Sequence, residues 1–314
     1  MAAPHLGRRP DDDVPMNTAT HTAAISGVDI AGTSMAQTVY LNGEFTALED
    51  ARVPVLDRGF IFGDGIYEVV PAYARRPFRW PQHLERLKRS LAAVGITNPL
   101  DDSGWTRLVT ELIARHDWSD QFVYIQVTRG VARRDHAFPQ GVAPTVFAMT
   151  SQLVPPPAEQ VAMGVAAITL PDERWLHCDI KSISLLGNVM ARQAAVQAGA
   201  AECVMFRDGF LTEGSASNIW VARGERLYGP PKDNLILTGI RYGLIEELCE
   251  RTGIALQLRR ILREEVQVAD ELLLSSATKE VLAITTLDGR PVGDGRPGPV
   301  FAKLHAAYQQ AKTG

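Results

Sequence analysis

The amino-acid sequence predicts a mixed α+β fold rather than a parallel α/β sheet. Candidate strands follow one another in pairs joined by tight turns, and neither half of the chain alternates regularly between strands and helices. The glycine pattern "GFIFGDG" (residues 59–65) does not fit the dinucleotide-binding fingerprint, and no Walker-type GK[ST] sequence occurs. These observations argue against a Rossmann or P-loop protein.

The elements of the first half begin with a hairpin in "QTVYLNGEF", whose turn is expected at Asn42-Gly43. A helix is predicted after Trp80, because Pro81 can take the first helical position and an apolar stripe follows. A second helix is expected from about Trp105 to Arg115, followed by the strands "QFVYIQVTRG" and "APTVFAMTS". The stripe consists of Leu84, Leu87, Leu91 and Val94.

The second half is richer in strands. An Ala-rich helix is predicted to begin near Asn188, and Asp208-Gly209 gives a hairpin signal. The stretch "SNIWVARGERLYG" predicts a strand pair, and a helix from Ile240 should end at Gly253. "ELLLSSATKEVLAITTLDGRPVG" predicts two further strands around a polar turn.

Three consecutive prolines in "QLVPPPAEQ" predict a domain boundary, since they form a short, stiff connector. The first 36 residues are small and polar and lack the continuous apolar core of a secretory signal. They are interpreted as a disordered tail, or as sequence upstream of a later natural start. The predicted organisation is a tail at 1–36, a small domain at 37–150, a linker at 151–159 and a larger domain at 160–314.

Composition excludes several classes of function. The chain has 314 residues, of which 46% are hydrophobic and 22% charged, as in soluble globular proteins. A net charge of -4 leaves no basic surplus for nucleic acid, and no apolar run approaches the length needed to cross a membrane. Three cysteines without CxxC spacing argue against a disulfide frame or a structural zinc site. Buried thiols in a reducing cytoplasm are the expectation.

Lys181 is the first candidate for chemistry, because it lies in a run with few other charges just before the Ala-rich helix. It fits a surface lysine, or an amine nucleophile whose basicity falls as it is desolvated and which can attack a carbonyl. Glu213 in "LTEGSASNIW" fits a turn carboxylate, or an anion facing the ring nitrogen of a flat ligand. Such an anion would keep a pyridine protonated, as pyridoxal chemistry requires.

Phosphate-binding candidates come from three places. Arg86 lies off the apolar stripe and fits a solvated helix arginine or a phosphate ligand. "LTGIRYG" (residues 237–243) opens a helix whose first amides could bind phosphate, and the polar turn "SSAT" (275–278) could add donors.

The loop "TRGVARRDHAFP" is either a solvated basic loop or a trap for a substrate carboxylate.

Taken together, these motifs make the chain resemble the class IV, pyridoxal-phosphate-dependent aminotransferases from about Gln37 to Lys312. Within that family it looks most like the D-amino-acid (D-alanine) transaminases. The stretches that carry the resemblance are "DRGFIFGDGIYEVV", "HLERL", "IQVTRG" with "RRDHAFP", "RWLHCDIKSISLLGNVMARQ", "TEGSASN" and "LILTGI".

The resemblance implies a two-domain fold type IV enzyme, with a small α/β domain, a strand-rich pseudo-barrel domain and pyridoxal 5'-phosphate between them. It implies D-amino acids and 2-oxo acids as substrates, and a homodimer in which the trap loop reaches the partner's site. Lys181 and Glu213 match the catalytic residues. The matches for cofactor binding are Lys181, Arg86, Glu213, Leu237, Ile240, Arg241, Ser276 and Ala277, and those for substrate binding are Tyr67, Arg134 and His136.

Two departures and several alternatives accompany the resemblance. Arg241 and Ala277 stand where threonines are usual, so two hydroxyls toward the phosphate are missing while the backbone amides remain. A branched-chain L-aminotransferase, an (R)-amine transaminase or a 4-amino-4-deoxychorismate lyase would share Lys181, Glu213 and Arg86. The loop with Arg134 and His136 favours the D-specific group over these.

Overall fold

The computed structural model describes residues 37–313. The predicted N-terminal tail, residues 1–36, lies outside the described residues. Two sheets dominate the fold, one built from strands before the three prolines and one from strands after them. The predicted linker overlaps the end of one strand and the start of one helix, which leaves only residues 153–157 outside regular structure. The division into two domains stays a prediction.

The first sheet has six antiparallel strands in the order β2-β1-β6-β5-β3-β4. Its strands are β1 (Thr38–Leu41), β2 (Glu44–Ala47), β3 (Gly65–Tyr73), β4 (Arg76–Pro77), β5 (Gln121–Thr128) and β6 (Thr145–Gln152). The turn between β1 and β2 lies at Asn42 and Gly43, which both have positive φ, as the Asn-Gly signal predicts.

The helices of this half are a 3-10 turn (Leu48–Asp50), α1 (Arg58–Phe62), α2 (Trp80–Ala93) and α3 (Asp102–Ala114). Leu84, Leu87 and Leu91 of α2 are buried against β3, so the predicted stripe is confirmed. Two predicted helix starts were wrong. Helix α2 begins one residue before Pro81, and α3 begins at Asp102 because the Asp101 carboxylate accepts a hydrogen bond from Gly104 N at 2.6 Å and caps it there.

The second sheet has nine strands along the order β12-β11-β10-β13-β14-β7-β8-β9, with β15 paired to β14. They are β7 (Val165–Pro171), β8 (Glu202–Arg207), β9 (Phe210–Leu211), β10 (Asn218–Arg223), β11 (Arg226–Gly229), β12 (Ala255–Leu258), β13 (Glu271–Ser276), β14 (Glu280–Leu287) and β15 (Arg290–Pro291). Strand β7 pairs in parallel with β8 and β14, whereas the hairpins predicted from turn signals are antiparallel.

The helices of this half are α4 (Ala158–Met163), α5 (Leu186–Gln197), α6 (Ile240–Thr252), α7 (Arg263–Gln267) and α8 (Pro299–Thr313). Helix α6 ends where Gly253 adopts the left-handed conformation, as predicted. Helix α5 begins at Leu186, two residues before the predicted start. Cys178, Cys203 and Cys249 are buried and unpaired. Among the helices of residues 37–313, none is both long and apolar enough for a bilayer crossing.

The segment between β7 and α5 connects the two sheets. It runs past the start of β3, where Ser182 forms an antiparallel bridge with Ile66 and Ile183 N donates to Gly65 O at 3.1 Å. Helix α2 reaches the loop before α6, since Arg86 Nη1 donates to Thr238 O at 3.4 Å. These contacts enclose a cavity between the sheets.

Candidate active site

The cavity between the sheets has a volume of about 460 Å³, in the range of sites for small ligands. The predicted site residues Lys181, Glu213, Arg86, Tyr67, Leu237, Ile240, Arg241, Ser276 and Ala277 all line it. They come from β3, α2, the loop before α5, the loop after β9, the start of α6 and the end of β13. Residues far apart in sequence therefore meet at one place.

Lys181 is held by its backbone while its ammonium group stays free. Its carbonyl accepts a hydrogen bond from Tyr67 N at 2.9 Å, and Nζ lies 4.0 Å from the centroid of the Tyr67 ring. Within residues 37–313, Nζ has neither a hydrogen bond nor an ion pair. The aromatic face supports a cation there without consuming its hydrogen-bonding capacity. The amine is thus placed to react with a ligand in the cavity.

Glu213 lines the same cavity and is only 6% exposed. Its Oε2 accepts hydrogen bonds from Leu237 N at 3.1 Å and from Asn218 Nδ2 at 3.2 Å. Its Oε1 contacts Arg174 Nη1 at 2.6 Å. Burial raises the pKa of Glu213 to about 7, against the opposing effect of the Arg174 charge and hydrogen bond. The carboxyl is thus poised to become an anion when a second cation approaches it.

Arg174 is a site residue for which the sequence predicted no role. Its side chain is buried and bridges two carboxylates, with Nε 2.9 Å from Asp172 Oδ1 and Nη2 2.8 Å from Asp172 Oδ2. The two contacts with Asp172 hold the Arg174 guanidinium in place, and the guanidinium in turn holds the Glu213 carboxylate. The stretch "RWLHCDIK" includes Arg174, but only the folded path of the loop shows its carboxylate partners.

The segment after Glu213 lines the cavity with small residues. A Cβ on Gly214 would lie 2.5 Å from Ser217 Oγ, so the backbone leaves no room for a side chain. Buried Glu202 holds this segment, because its carboxylate accepts hydrogen bonds from Ser215 N at 3.0 Å and from Ser217 Oγ at 2.9 Å. Because Gly214, Ser215, Ala216 and Ser217 line the cavity and have small side chains, a planar ring can approach the backbone closely.

The far end of the cavity is suited to an anion. The amides of Ile240 and Arg241, at the start of α6, donate to no atom of the described residues. Helix starts leave such amides unpaired and bind phosphate readily. Gly239 must precede them without a side chain, because its Cβ would lie 2.5 Å from Asn218 Oδ1. Ser276 and Ala277 line the same cavity, and Ala277 O accepts a hydrogen bond from Arg241 Nη2 at 3.3 Å.

Arg86 is buried rather than solvated, so the interpretation of it as an exposed helix arginine was wrong. Its Nε and Nη2 bind Glu68 at 2.7 and 2.8 Å, and His83 Nδ1 lies 2.9 Å from the same carboxylate. Burial lowers the pKa of His83 to about 4, so the ring is neutral at pH 7 and its Nδ1–H donates to Glu68. Burial would raise the pKa of Glu68, but Arg86 and then His83 outweigh it and hold that pKa well below its usual range.

Arg134 and His136 are exposed and do not line the cavity of the same chain. Hydrogen bonds from Arg58 and contacts with the Phe62 ring hold their loop against α1. Arg58 donates to the carbonyls of Asp135 and His136, and both the Arg134 guanidinium and the His136 ring lie 5.3 Å from the Phe62 ring. The structure thus places Tyr67 near Lys181 but separates the other two predicted substrate ligands from them.

Comparison with known proteins identifies the family. Residues 65–287 match the family model of the class IV aminotransferases. A D-alanine aminotransferase from Bacillus licheniformis is 39% identical over 273 residues, which are 87% of this chain and 96% of that protein. The chain therefore belongs to the class IV aminotransferases, a family that uses pyridoxal 5'-phosphate, and its resemblance to the D-alanine enzymes is confirmed.

Solved structures confirm the fold class. The branched-chain amino acid aminotransferase of Escherichia coli superimposes with a TM-score of 0.83 at 23% identity, covering 88% of this chain and 94% of that one. A fold IV transaminase from Curtobacterium pusillum gives a TM-score of 0.73 at 24% identity, with 84% and 92% coverage. At these identities the likeness concerns the fold alone. The α+β, fold type IV prediction is thereby confirmed.

The residues present fit pyridoxal 5'-phosphate in three respects. The free amine of Lys181 matches its aldehyde, and the buried carboxylate of Glu213 matches its ring nitrogen. The unpaired amides at the start of α6 match its phosphate. The small residues that follow Glu213 in the cavity lining suit a flat ring. No group of three or more potential metal ligands comes together in the part of the chain that the structure describes.

Proposed function

We propose that this protein catalyses transamination between D-amino acids, D-alanine and D-glutamate among them, and 2-oxo acids. The observation that carries the proposal is that Lys181 and Glu213 line one cavity, in a chain 39% identical to a D-alanine aminotransferase. The family supplies the reaction type, and the curated relatives supply the D-configuration of the substrate.

The positions of the residues around the cavity support the cofactor-binding roles that the family resemblance implies. Lys181 would hold the cofactor covalently, Glu213 would accept the ring N–H, and Leu237 would pack on the ring. The amides of Ile240 and Arg241, with Arg86, Ser276 and Ala277, would surround the phosphate. When bound, the cofactor supplies an electron sink that stabilises negative charge at the substrate Cα.

The chain's own groups then handle the proton. Lys181 Nζ, once free, would be the base that removes the substrate Cα proton and delivers it, on the same face, to the cofactor carbon that carried the aldehyde. Glu213 keeps the ring nitrogen protonated, because each opposite charge favours the charged form of the other. Tyr67, whose ring lies 4.0 Å from Nζ, orients the amine toward the cavity and excludes water from one side of it.

Substrate recognition requires a second copy of the chain. Arg134 and His136 would bind the substrate carboxylate with Tyr67, yet these two lie on an exposed loop away from their own cavity. In a homodimer, Arg134 and His136 of the partner subunit would complete the site. Exposed apolar side chains on α1 and α5, including Phe60, Leu186 and Met190, offer surface for such an interface.

The cellular location is inferred from the thiols. Buried, unpaired cysteines fit a reducing compartment, so a cytoplasmic enzyme acting on small molecules is the proposal.

The half-reaction with single substrates tests the proposal. Loaded enzyme is mixed separately with D-alanine, D-glutamate, L-alanine and L-leucine, and the cofactor absorption band is followed. Conversion to the pyridoxamine form by the two D-amino acids but not by the L-amino acids is expected. Conversion by L-leucine alone would instead identify an L-branched-chain enzyme and refute the D-specific assignment.

Replacement of Arg134 tests the carboxylate trap. Arg134→Ala should raise the KM for D-alanine about tenfold or more, because a guanidinium–carboxylate contact is lost, while cofactor loading stays intact. Arg133→Ala removes a neighbouring exposed arginine and serves as the matched control. Equal KM values for the two variants would contradict the trap.

A further inference from the structure

We propose that Arg241 is the counter-charge for the cofactor phosphate in this protein, acting as a buried cation at the start of α6. The inference rests on the proposed binding of pyridoxal 5'-phosphate and assigns a role to the Arg241 side chain as well as to its backbone amide. Arg241 is 2% exposed and lines the anion-binding end of the cavity.

The position of this arginine is unfavourable without an anion. It is the second residue of α6, and the partial positive charge at a helix start repels a cation. Burial adds a desolvation penalty, which a buried charge normally offsets by pairing with an opposite one. Within residues 37–313, no carboxylate oxygen comes within 4.0 Å of the guanidinium, and its buried Nη1 has no hydrogen-bond partner.

The other charges at this end of the cavity cancel. Arg86 is neutralised by Glu68, which it binds through two nitrogens, and His83 is neutral at pH 7. Arg241 therefore leaves one net positive charge beside the unpaired amides of the α6 start. A phosphate dianion balances the positive charge of Arg241, and its oxygens accept hydrogen bonds from the unpaired amides.

The guanidinium is held rigidly in place. Arg241 Nε donates to Tyr308 OH at 2.9 Å, and Nη2 donates to Ala277 O at 3.3 Å. The Phe78 ring lies 5.0 Å from Cζ and covers one side. The contact to Ala277 links the cation to the turn after β13, which also lines the cavity. Because the guanidinium is enclosed, its charge acts in a medium of low dielectric constant, where it is strong.

Binding of two cofactor forms to the apoprotein tests this role without turnover. The probes are pyridoxal 5'-phosphate and pyridoxal, which lacks the phosphate. Arg241→Met keeps much of the side-chain volume between Phe78 and Tyr308 but removes the charge. Its affinity for pyridoxal 5'-phosphate should fall about 10- to 100-fold, whereas its affinity for pyridoxal should change less than about twofold.

Two further variants control for structure and for net charge. Arg241→Lys keeps the cation and should bind pyridoxal 5'-phosphate more tightly than Arg241→Met. Arg251→Met removes an arginine from the last turn of α6 and should bind both forms as the wild type does. Equal losses for both cofactor forms in Arg241→Met, or no loss for the phosphorylated form, would overturn the inference.

The two proposals fail in distinguishable ways. A wild-type protein that binds both cofactor forms equally would refute the counter-charge directly, whereas one that binds neither would refute both proposals. A wild-type protein that discriminates as expected but transaminates no D-amino acid would refute only the proposed function. Normal D-alanine turnover together with an unchanged affinity ratio in Arg241→Met would refute only the role of Arg241.

Discussion

Arg174 should control the protonation of Glu213, and its removal should therefore change the pH dependence of the reaction. In Arg174→Met, Glu213 loses the 2.6 Å contact to the guanidinium but keeps its bonds to Leu237 N and Asn218. A cation at this distance lowers the pKa of a carboxyl by about 1 to 3, so its loss should raise that pKa by as much.

The effect on rate follows from the anionic fraction of Glu213. With a pKa of about 7 for the protein alone, roughly 90% of the carboxyl is ionised at pH 8. A rise of the pKa by 1 to 3 leaves between about 50% and about 1% ionised. If only the anion supports the protonated ring nitrogen, kcat/KM at pH 8 should fall by at most about 100-fold, because the ring cation of the bound cofactor favours the Glu213 anion, and part of the activity should return at higher pH.

The assay is the pH profile of kcat/KM for D-alanine, with the change in its acidic limb as the readout. Arg207→Met is the matched control, because Arg207 contacts Asp172 of the same cluster at 3.1 Å but not Glu213. In a Glu213→Gln background, Arg174→Met should have no further effect on the acidic limb. An acidic limb at the same pH in wild type and Arg174→Met would refute the reasoning.

Two further predictions concern stability. Glu68→Gln should lower the free energy of unfolding by about 3 to 5 kcal/mol, because it leaves Arg86 buried without its anion. The control, Lys88→Met, removes an exposed ion pair with Asp102 and should lower it by less than about 1 kcal/mol. Equal losses of the two variants on chemical denaturation would contradict the buried pairing. For Glu213, whose pKa is raised by burial, the folded state keeps a proton that the unfolded chain releases, so the cofactor-free protein should lose about 3 kcal/mol of stability as pH rises from 4.5 through 7. Glu213→Gln should flatten that dependence in urea unfolding measured at several pH values, and an unaltered slope would show that Glu213 ionises normally.

Much of the fold was predictable because local signals coincide with tertiary structure. The Asn42-Gly43 and Asp208-Gly209 turns, the stripe on α2 and the glycine that ends α6 all act within a few residues. Helix α8 was not predicted, although Val300, Leu304 and Tyr308 are buried with a helical spacing. Strand β7 was missed because its pairing with β8 and β14 is parallel and has no turn signal.

The site residues also differ in whether the sequence alone could identify them. Lys181 and Glu213 lie in motifs whose residues are neighbours in sequence, so the resemblance located them and the structure places both at the cavity. Glu68 could have been found, because it occupies a core-facing position between Ile66 and Val70 in β3, where a carboxylate requires a buried partner. Arg174 could not, since its contact with Glu213 depends on the path of the loop before α5.

The central claim is that the amine of Lys181 holds the cofactor covalently in the cavity that Glu213 also lines. Reduction of the loaded protein with borohydride, followed by proteolysis and mass spectrometry of the peptides, tests this most directly. A phosphopyridoxyl group on Lys181, absent when the same procedure is applied to Lys181→Ala, is the predicted result. A label on another lysine, with Lys181 unmodified, would contradict the account.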